Sequence, residues 1–403
     1  MNHRVVVTGV GVVSPIGQGR KIFARSLKAG VCGAGPIQLF STKKYPFKQA
    51  FEVKDFNARL HHTQLLDPFI GYAIAAAAEA FEDARFETGN VDPYRIAISV
   101  SSSKGGVHTL DRFKERFFKK PSALLGARIY VNFVPNFAAQ WIARRWKLKG
   151  PAQCYVAACA TGTVAVEQGA LMVAEGRADY CIAGASDASI VPLMLAGYHQ
   201  MKVLANNAML PFHRDRSGFL VGEGAGIVFL ETLESAKARR VPIYGEVLGA
   251  VSGTDGTNAL HFDSGENALS RTVLALLKKI KRTAGDIDYI NLHGTATRAG
   301  DIYETQQLKR ALGKHAAGIP MSATKAMTGH MLGASGAVEI IACLLAMRDG
   351  FIPPTIHLDH PDPECDLDYT PGKSRTAECR TALSISMGFG GHVAVMALGK
   401  DPV

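Results

Sequence analysis

QCYVAACATGTVAVEQGALMVAEG, residues 153–176, joins a strand-like run, QCYVA, to a helix-like run, GTVAVEQGALMVAEG, through a short elbow of small residues. Cys159 stands in that elbow. A strand that hands over to a helix across a tight turn is the building unit of an α/β chain. The placement also bears on chemistry. Free backbone N–H groups and the positive end of the dipole at a helix start favour a thiolate. Ala158, Ala160 and Gly162 leave room for a substrate to approach the sulfur. An elbow that presents a reactive side chain is a catalytic device known with serine. Taken alone, the segment has a plainer reading, because a small buried cysteine is usually inert packing.

Two further segments change the balance. YINLHGTATRAGD, residues 289–301, ends a short apolar run at His293 and continues into a glycine and two threonines. SATKAMTGHMLGASGAVE, residues 322–339, puts Lys325 and His330 on a glycine-rich loop that opens a small-residue helix, with Glu339 further along it. A single histidine at a strand end is more often a structural residue. One cysteine and two histidines on three glycine-rich loops, each at an element terminus, point instead to a nucleophilic site assembled by the fold.

With these motifs in hand, the chain resembles the β-ketoacyl-acyl-carrier-protein synthases of the synthase I/II type, within the thiolase-like superfamily. The resemblance runs from VVVTGVGVVSPIG (5–17) through GPAQCYVAACATG (150–162) and GFLVGEGAGIVFLE (218–231). It continues through HGTATRAGD, TKAMTGHMLGASGAVE, IPPTIHLDHPD (352–362) and GFGGHVAV (388–395). Thiolases use a second cysteine and the initiating synthases use Cys–His–Asn, so a Cys–His–His set with its lysine and glutamate belongs to this branch. The resemblance implies a thiolase-like α/β fold of two similar halves in a five-layered αβαβα arrangement. We expect an N-terminal half, 1–245, that carries the cysteine, and a C-terminal half, 246–403, that carries both histidines.

The segment pattern agrees with an α/β fold. Strand-like runs at 4–8, 95–100, 153–157, 179–183, 225–231, 243–250, 287–292 and 383–387 alternate with helix-like runs at 68–84, 162–175, 266–282, 302–312 and 335–348. Such alternation predicts covered, mostly parallel sheets. The chain has 403 residues, 47% of them hydrophobic, enough for a large core or two closely packed halves. No apolar run is long enough to span a membrane, and Gly9, Gly11 and Pro15 make the N-terminal apolar run a strand and turn rather than a signal peptide. Seven cysteines without a CxxC pair suggest a reducing compartment, and a cytoplasmic protein is expected. Gly9 and Gly11 after a strand mimic the start of a dinucleotide-binding turn, but Ser14 and Pro15 follow where a third glycine and a helix belong. No P-loop is present, no Cys/His cluster has metal-ligand spacing, and no metal or other cofactor is expected beyond a phosphopantetheine arm delivered by acyl carrier protein.

The resemblance assigns roles residue by residue. Cys159 takes the acyl group from a carrier-protein thioester, splitting one hard step into two. His293 and His330 stabilise the enolate left when malonyl-carrier protein loses carbon dioxide; a positioned donor of this kind contributes ~3–4 kcal/mol to a transition state. The N–H groups of Cys159 and Phe389 form the oxyanion hole, and Phe389 in GFGG guards the cysteine. Lys325 supports the histidines electrostatically with Glu339 as its partner. Thr295 and Thr297 hold the pantetheine arm, although such threonines often bond only their own backbone. Lys104 and Tyr198 belong to the substrate-binding set, and Lys202 to the carrier-docking set.

Charge and departures from the family pattern bear on partners and substrate. The formal net charge is +10, with basic clusters at 112–120, 144–149, 237–240 and 278–282. A positive surface suits an acidic carrier protein, and no nucleic-acid fold signature accompanies it. Lys104 stands where the family has an apolar residue lining the acyl channel, and a lysine buried there is costly unless paired or wet. His213, Ser217, Arg298, His392 and Val393 also depart from the usual residues, and HHTQLLDPF (61–69) lacks most of the expected basic ones. The favoured expectation is therefore an acyltransferase, an elongating ketosynthase of a specialised fatty-acid or type II polyketide pathway. The alternatives are a chain-length-determining partner in a heterodimer, which generally lacks the nucleophile, and an ordinary synthase II. The family is dimeric, so a homodimer or such a heterodimer is expected.

Overall fold

VVVTGVGVVS forms a ten-residue strand, β1 (Val5–Ser14), buried at every position. A strand with no polar alternation must be covered on both faces, and the architecture follows from that requirement. The computed structural model describes residues 3–120, 126, 129–260, 262, 265 and 267–400. After β1 the main sheet takes β2 (Ile96–Ser101), β3 (Ala152–Gln153), β4 (Tyr180–Asp187), β5 (Gly224–Thr232), β6 (Gly245–Thr254), β7 (Tyr289–Asn291), β8 (Met321–Ser322), β9 (Thr381–Gly388) and β10 (His392–Gly399). Their order across the sheet is β8-β7-β9-β10-β6-β1-β5-β4-β2-β3.

That order contains one pattern twice. The first five strands lie as β3-β2-β4-β5-β1 and the next five as β8-β7-β9-β10-β6, which is the first pattern with five added to each label. The senses repeat as well. β2 pairs parallel with β3 and β4, while β5 is antiparallel to β4 and β1. β7 pairs parallel with β8 and β9, while β10 is antiparallel to β9 and β6. Two similar halves therefore meet at a short antiparallel seam, where Val6 and Val7 face Glu246 and Gly245.

The sheets are mixed rather than mostly parallel, which corrects the sequence-based expectation. Alternation of strand and helix is blind to a hairpin such as β9–β10, whose turn is Phe389–Gly391 with Gly390 and Gly391 at φ 85° and 80°. The expected strand 153–157 is also shortened. Only Ala152–Gln153 pairs, because the Tyr155 N–H bonds the Ser101 hydroxyl at 3.0 Å and the Ala157 N–H bonds that of Thr161 at 2.9 Å, bending the chain toward the elbow.

Helices cover both faces: α1 (Pro68–Asp83), α2 (Phe137–Trp146), α3 (Thr161–Ala174), α4 (Ala268–Lys279), α5 (Arg298–Leu312) and α6 (Ser335–Asp349). The run expected at 266–282 is helical over α4; its first residue, Glu266, lies outside the described residues. α1 packs on β1 so closely that a Cβ on Gly9 or Gly11 would lie 2.2 Å from Ala80 O or 1.9 Å from Ala76 O. Those glycines thus serve helix-on-strand contact. α3 and α6 form the middle layer, touching each other and strands of both halves. α6 is buried from Ser335 to Met347, the signature of a helix covered all round. The two middle helices meet at their N-terminal ends, where a Cβ on Gly162 would lie 2.6 Å from Ala337 N. No helix among the described residues is long and apolar enough to cross a membrane.

Candidate active site

Cys159 lies in a single 3-10 turn, Ala158–Ala160, immediately before α3. Ala158 is held at φ 48°, a left-handed conformation that costs an alanine on the order of 1 kcal/mol. The Thr161 hydroxyl fixes the turn by accepting the Ala157 N–H at 2.9 Å and donating to Ala158 O at 2.7 Å. Gly388 closes over it, since a Cβ there would lie 2.9 Å from Cys159 N and 3.0 Å from Ala157 O. The Phe389 N–H, next along, favours the charged form of the thiol.

His330 comes from the loop before α6. Its backbone is pinned by N–H donation to Leu220 O and by acceptance from the Gly222 N–H, both at 2.9 Å. Its Nε2 lies 3.1 Å from Cys159 Sγ and its Nδ1 3.1 Å from Ser335 Oγ. The Phe219 ring stands edge-on to the imidazole, 5.0 Å between centroids. His293 follows the end of β7, with its ring 5.6 Å from that of His330 at 87°. Lys325 Nζ is 3.5 Å from His293 Nδ1 and 2.5 Å from Glu339 Oε1. Cys159, His293, His330, Lys325 and Glu339 therefore share one buried cluster.

The electrostatics differ from the thiolate expected at a helix start. Burial pushes the Cys159 thiol up to about 11, outweighing the pull of the Lys104 and Lys325 cations and the Phe389 N–H. The free cysteine is a neutral thiol facing an imidazole. Both histidines are held well below their ordinary value, first by burial and then by the Lys325 cation, so both rings are neutral. With Lys325 donating toward Nδ1, the proton of His293 sits on Nε2. Glu339 is raised to about 7 by burial, against the opposing effect of Lys325.

A cavity of about 530 Å³ reaches Cys159, His293 and His330 and is also lined by Thr295, Thr297 and Phe389. Thr295 and Thr297 bring their hydroxyl oxygens 3.2 Å apart on its wall. Lys202 and Arg298, both exposed, line it too. Lys104 and Tyr198 do not line this cavity. Tyr198 lies in the apolar cluster that contains Cys159, and Lys104 is half-buried on the loop after β2. His213 is buried, with Nδ1 accepting the Asp215 N–H at 3.0 Å, and Ser217 is exposed. His392 and Val393 open β10 beside the Phe389 turn.

Three supporting residues escaped the sequence reading. Glu304 accepts the N–H groups of His293 and Gly294. Ser335 meets His330. Arg216, with no exposed side chain, pairs with Asp362 at 2.7 Å and Asp301 at 3.4 Å and donates to Arg298 O at 2.7 Å. Glu304 stands eleven residues after His293 on α5, a spacing that only the approach of α5 to the β7 loop makes meaningful. Among the described residues, no group of three or more His, Cys, Asp or Glu side chains is arranged to hold a metal ion.

A cysteine and two neutral imidazoles at the floor of one cavity, on a duplicated sheet, narrow the family. Residues 2–236 match the model of the β-ketoacyl synthase N-terminal domain, and residues 244–359 match that of the C-terminal domain. The chain belongs to the β-ketoacyl synthase family. It is 37% identical over 407 residues to a 3-oxoacyl-[acyl-carrier-protein] synthase 2 of Synechocystis sp., covering 98% of each chain. Among solved members of the fold it is similar to the ishigamide ketosynthase/chain length factor, with TM-score 0.94, 32% identity and full coverage of both chains. It is also similar, with TM-score 0.92, 28% identity and full coverage of both, to a structure of a type II PKS acyl-carrier protein in complex with its ketosynthase bound to the hexaketide.

Proposed function

We propose that this β-ketoacyl synthase family member joins an acyl group, carried on Cys159, to malonyl-acyl carrier protein by decarboxylative Claisen condensation. The observation that carries this reading is the 3.1 Å approach of His330 Nε2 to Cys159 Sγ, with a second neutral imidazole 5.6 Å away in the same cavity.

In the first half-reaction the Cys159 sulfur attacks the thioester carbonyl of an acyl carrier protein. Its proton passes through His330 to the departing pantetheine sulfur, one C–S bond replacing another. The N–H groups of Cys159 and Phe389 receive the oxyanion. Malonyl-carrier protein then takes the cavity, its arm along Thr295 and Thr297. Loss of carbon dioxide leaves the electron pair as an enolate, whose oxygen accepts hydrogen bonds from Nε2 of His293 and His330. For His330 this requires the proton on Nε2, and the Ser335 hydroxyl, able to accept from or donate to Nδ1, permits that tautomer. The enolate carbon attacks the Cys159 thioester, the C–S bond breaks, and a proton from solvent restores the thiol. Lys325, anchored by Glu339, orients His293 and keeps it neutral.

The phosphopantetheine arm of the carrier protein is the only cofactor this scheme requires. Lys202 and Arg298 offer positive charge at the cavity, which supports docking of an acidic carrier protein there. The exposed edge strand β3, with Tyr94 and Val156 exposed nearby, supports pairing with a second ketosynthase-like chain in a cytoplasmic dimer. The repeated strand order supports a division into halves 1–245 and 246–403. The test is to supply acyl- and malonyl-carrier protein and read the carrier by mass. A β-ketoacyl carrier that disappears with Cys159→Ala supports the reading; decarboxylation without condensation in the wild type points to a partner subunit instead.

A further inference from the structure

Lys104, Ser189 and Tyr198 lie outside the lining of the large cavity; Tyr198 belongs to the apolar cluster that holds Cys159, Ser189 directly precedes Ile190 of that cluster, and the Lys104 charge acts on the thiol. Lys104 follows Ser103, which packs on the turn leading into α6: a Cβ on Gly333 would lie 2.7 Å from Ser103 Cβ. The same Gly333 presents its carbonyl 2.7 Å from where a Cβ on Gly162 would stand, three residues beyond the cysteine. The Lys104 ammonium has no hydrogen-bond or ion-pair partner among the described residues. Asp187, the carboxylate that feels its charge, is already bonded by the Ser102 and Ser103 hydroxyls at 2.6 Å and by the Gly333 N–H at 2.7 Å. Among charged groups Lys104 is the strongest influence drawing the Cys159 thiol toward thiolate, and it acts on His330 as well.

Tyr198 is only 6% exposed and shares one apolar cluster with Cys159, Ile190, Leu195 and Leu332. Burial and the neighbouring Cys159 and Asp187 raise its phenol above the ordinary value, so it stays a neutral donor, and no side chain or backbone group among the described residues accepts from it. Ser189 Oγ is buried without a hydrogen-bond partner, one residue before Ile190 of the same cluster. A cluster that receives a plain alkyl chain gains nothing from three unused donors and loses their hydration.

We infer that Lys104, Ser189 and Tyr198 make the space beside Cys159 selective for acyl chains that carry oxygen, with a carboxylate-bearing chain as the best fit. The inference rests on the condensing reading above and names its substrate class. Donors used by an oxygenated acyl group are left unpaired by a saturated one, which is how a polar site rejects an apolar analogue.

Wild-type protein is offered hexanoyl, 5-oxohexanoyl and 5-carboxypentanoyl groups on carrier protein, and acylation of Cys159 is timed by intact mass. Both oxygenated groups are expected to transfer at least about tenfold faster than hexanoyl, with the carboxylate fastest. Lys104→Met should remove the advantage of the carboxylate over the ketone. Tyr198→Phe, which keeps the ring, should narrow that of both over hexanoyl and serves if Lys104→Met does not fold. Equal or faster transfer of hexanoyl by the wild type overturns the inference and leaves the condensing reading standing. If no group reaches Cys159 while iodoacetamide still alkylates it, both are overturned.

Discussion

Glu304 holds the main chain on which His293 stands, its two carboxylate oxygens accepting the N–H groups of His293 and Gly294 at 2.7 and 2.8 Å. The carboxylate is 1% exposed, and burial raises it to about 7 although both N–H groups and the Lys325 cation favour its charged form. It does not line the cavity that reaches Cys159, so its part is to place an imidazole. Glu304→Gln keeps the shape and one acceptor but turns a donor toward an N–H group. We expect malonyl decarboxylation to fall about 10- to 100-fold, as for loss of a partner that orients a catalytic group. Transfer of an acyl group to Cys159 should change little, because the His330 contact is made by other residues. Equal loss in both half-reactions would refute the placing role.

The environment of the thiol makes a second prediction. With burial pushing Cys159 up to about 11, its rate of alkylation by iodoacetamide should still be climbing at pH 9 rather than levelling near neutrality. Removing a cation that favours the thiolate shifts the profile further up, so Lys104→Met should slow alkylation at pH 8 to 9. A plateau below pH 8 in the wild type would mean that a stable thiolate–imidazolium pair forms.

What the sequence disclosed was local chemistry on glycine-rich loops. Cys159, His293, Lys325 and His330 each sit at an element end that small residues mark, and the structure brings them together. Glu304 and Arg216 act across elements, and nothing in their own neighbourhoods announces a partner; Ser335 stands five residues after His330, and only the turn into α6 brings its hydroxyl back to the ring. The sense of the strands was hidden for a related reason. Alternating strands and helices look alike whether the next strand enters parallel, as β4 does beside β2, or antiparallel, as β10 does beside β9. The duplication appeared only as strand order, since packing constrains burial and shape more than residue identity. The thiolate expectation used the helix dipole correctly but could not see how completely the elbow is enclosed.

Arg216 carries a prediction about stability. Its guanidinium is enclosed with Asp301 and Asp362, and it also ties the carbonyl of Arg298. Arg216→Met leaves Asp301 buried without its cation, which costs about 3–5 kcal/mol when one partner of an enclosed pair is removed. Urea unfolding should show that loss. Arg216→Met/Asp301→Asn removes one of the two carboxylates left without the cation and should recover part of it; no recovery would locate the cost in packing or at Asp362.

Glu223 gives the last prediction, one of pH. Its carboxyl is fully enclosed, with Oε1 accepting the Val53 N–H at 3.0 Å and the Tyr72 hydroxyl at 3.2 Å, and Oε2 without a partner. Burial raises it from 4.5 to about 8, with Glu52 and Asp67 adding to the rise. Between those values the folded protein holds a proton that the unfolded chain has released. The stability linked to this group is therefore complete below pH 4.5 and declines as pH rises toward 8, by about 1.4 kcal/mol per pH unit. Glu223→Gln has no proton to lose. The difference in unfolding free energy, variant minus wild type, should grow steadily from pH 6 to pH 8 and flatten above it. Parallel pH profiles for the two proteins would show that Glu223 is ionised in the folded state at neutral pH, with its charge met by a group other than those named.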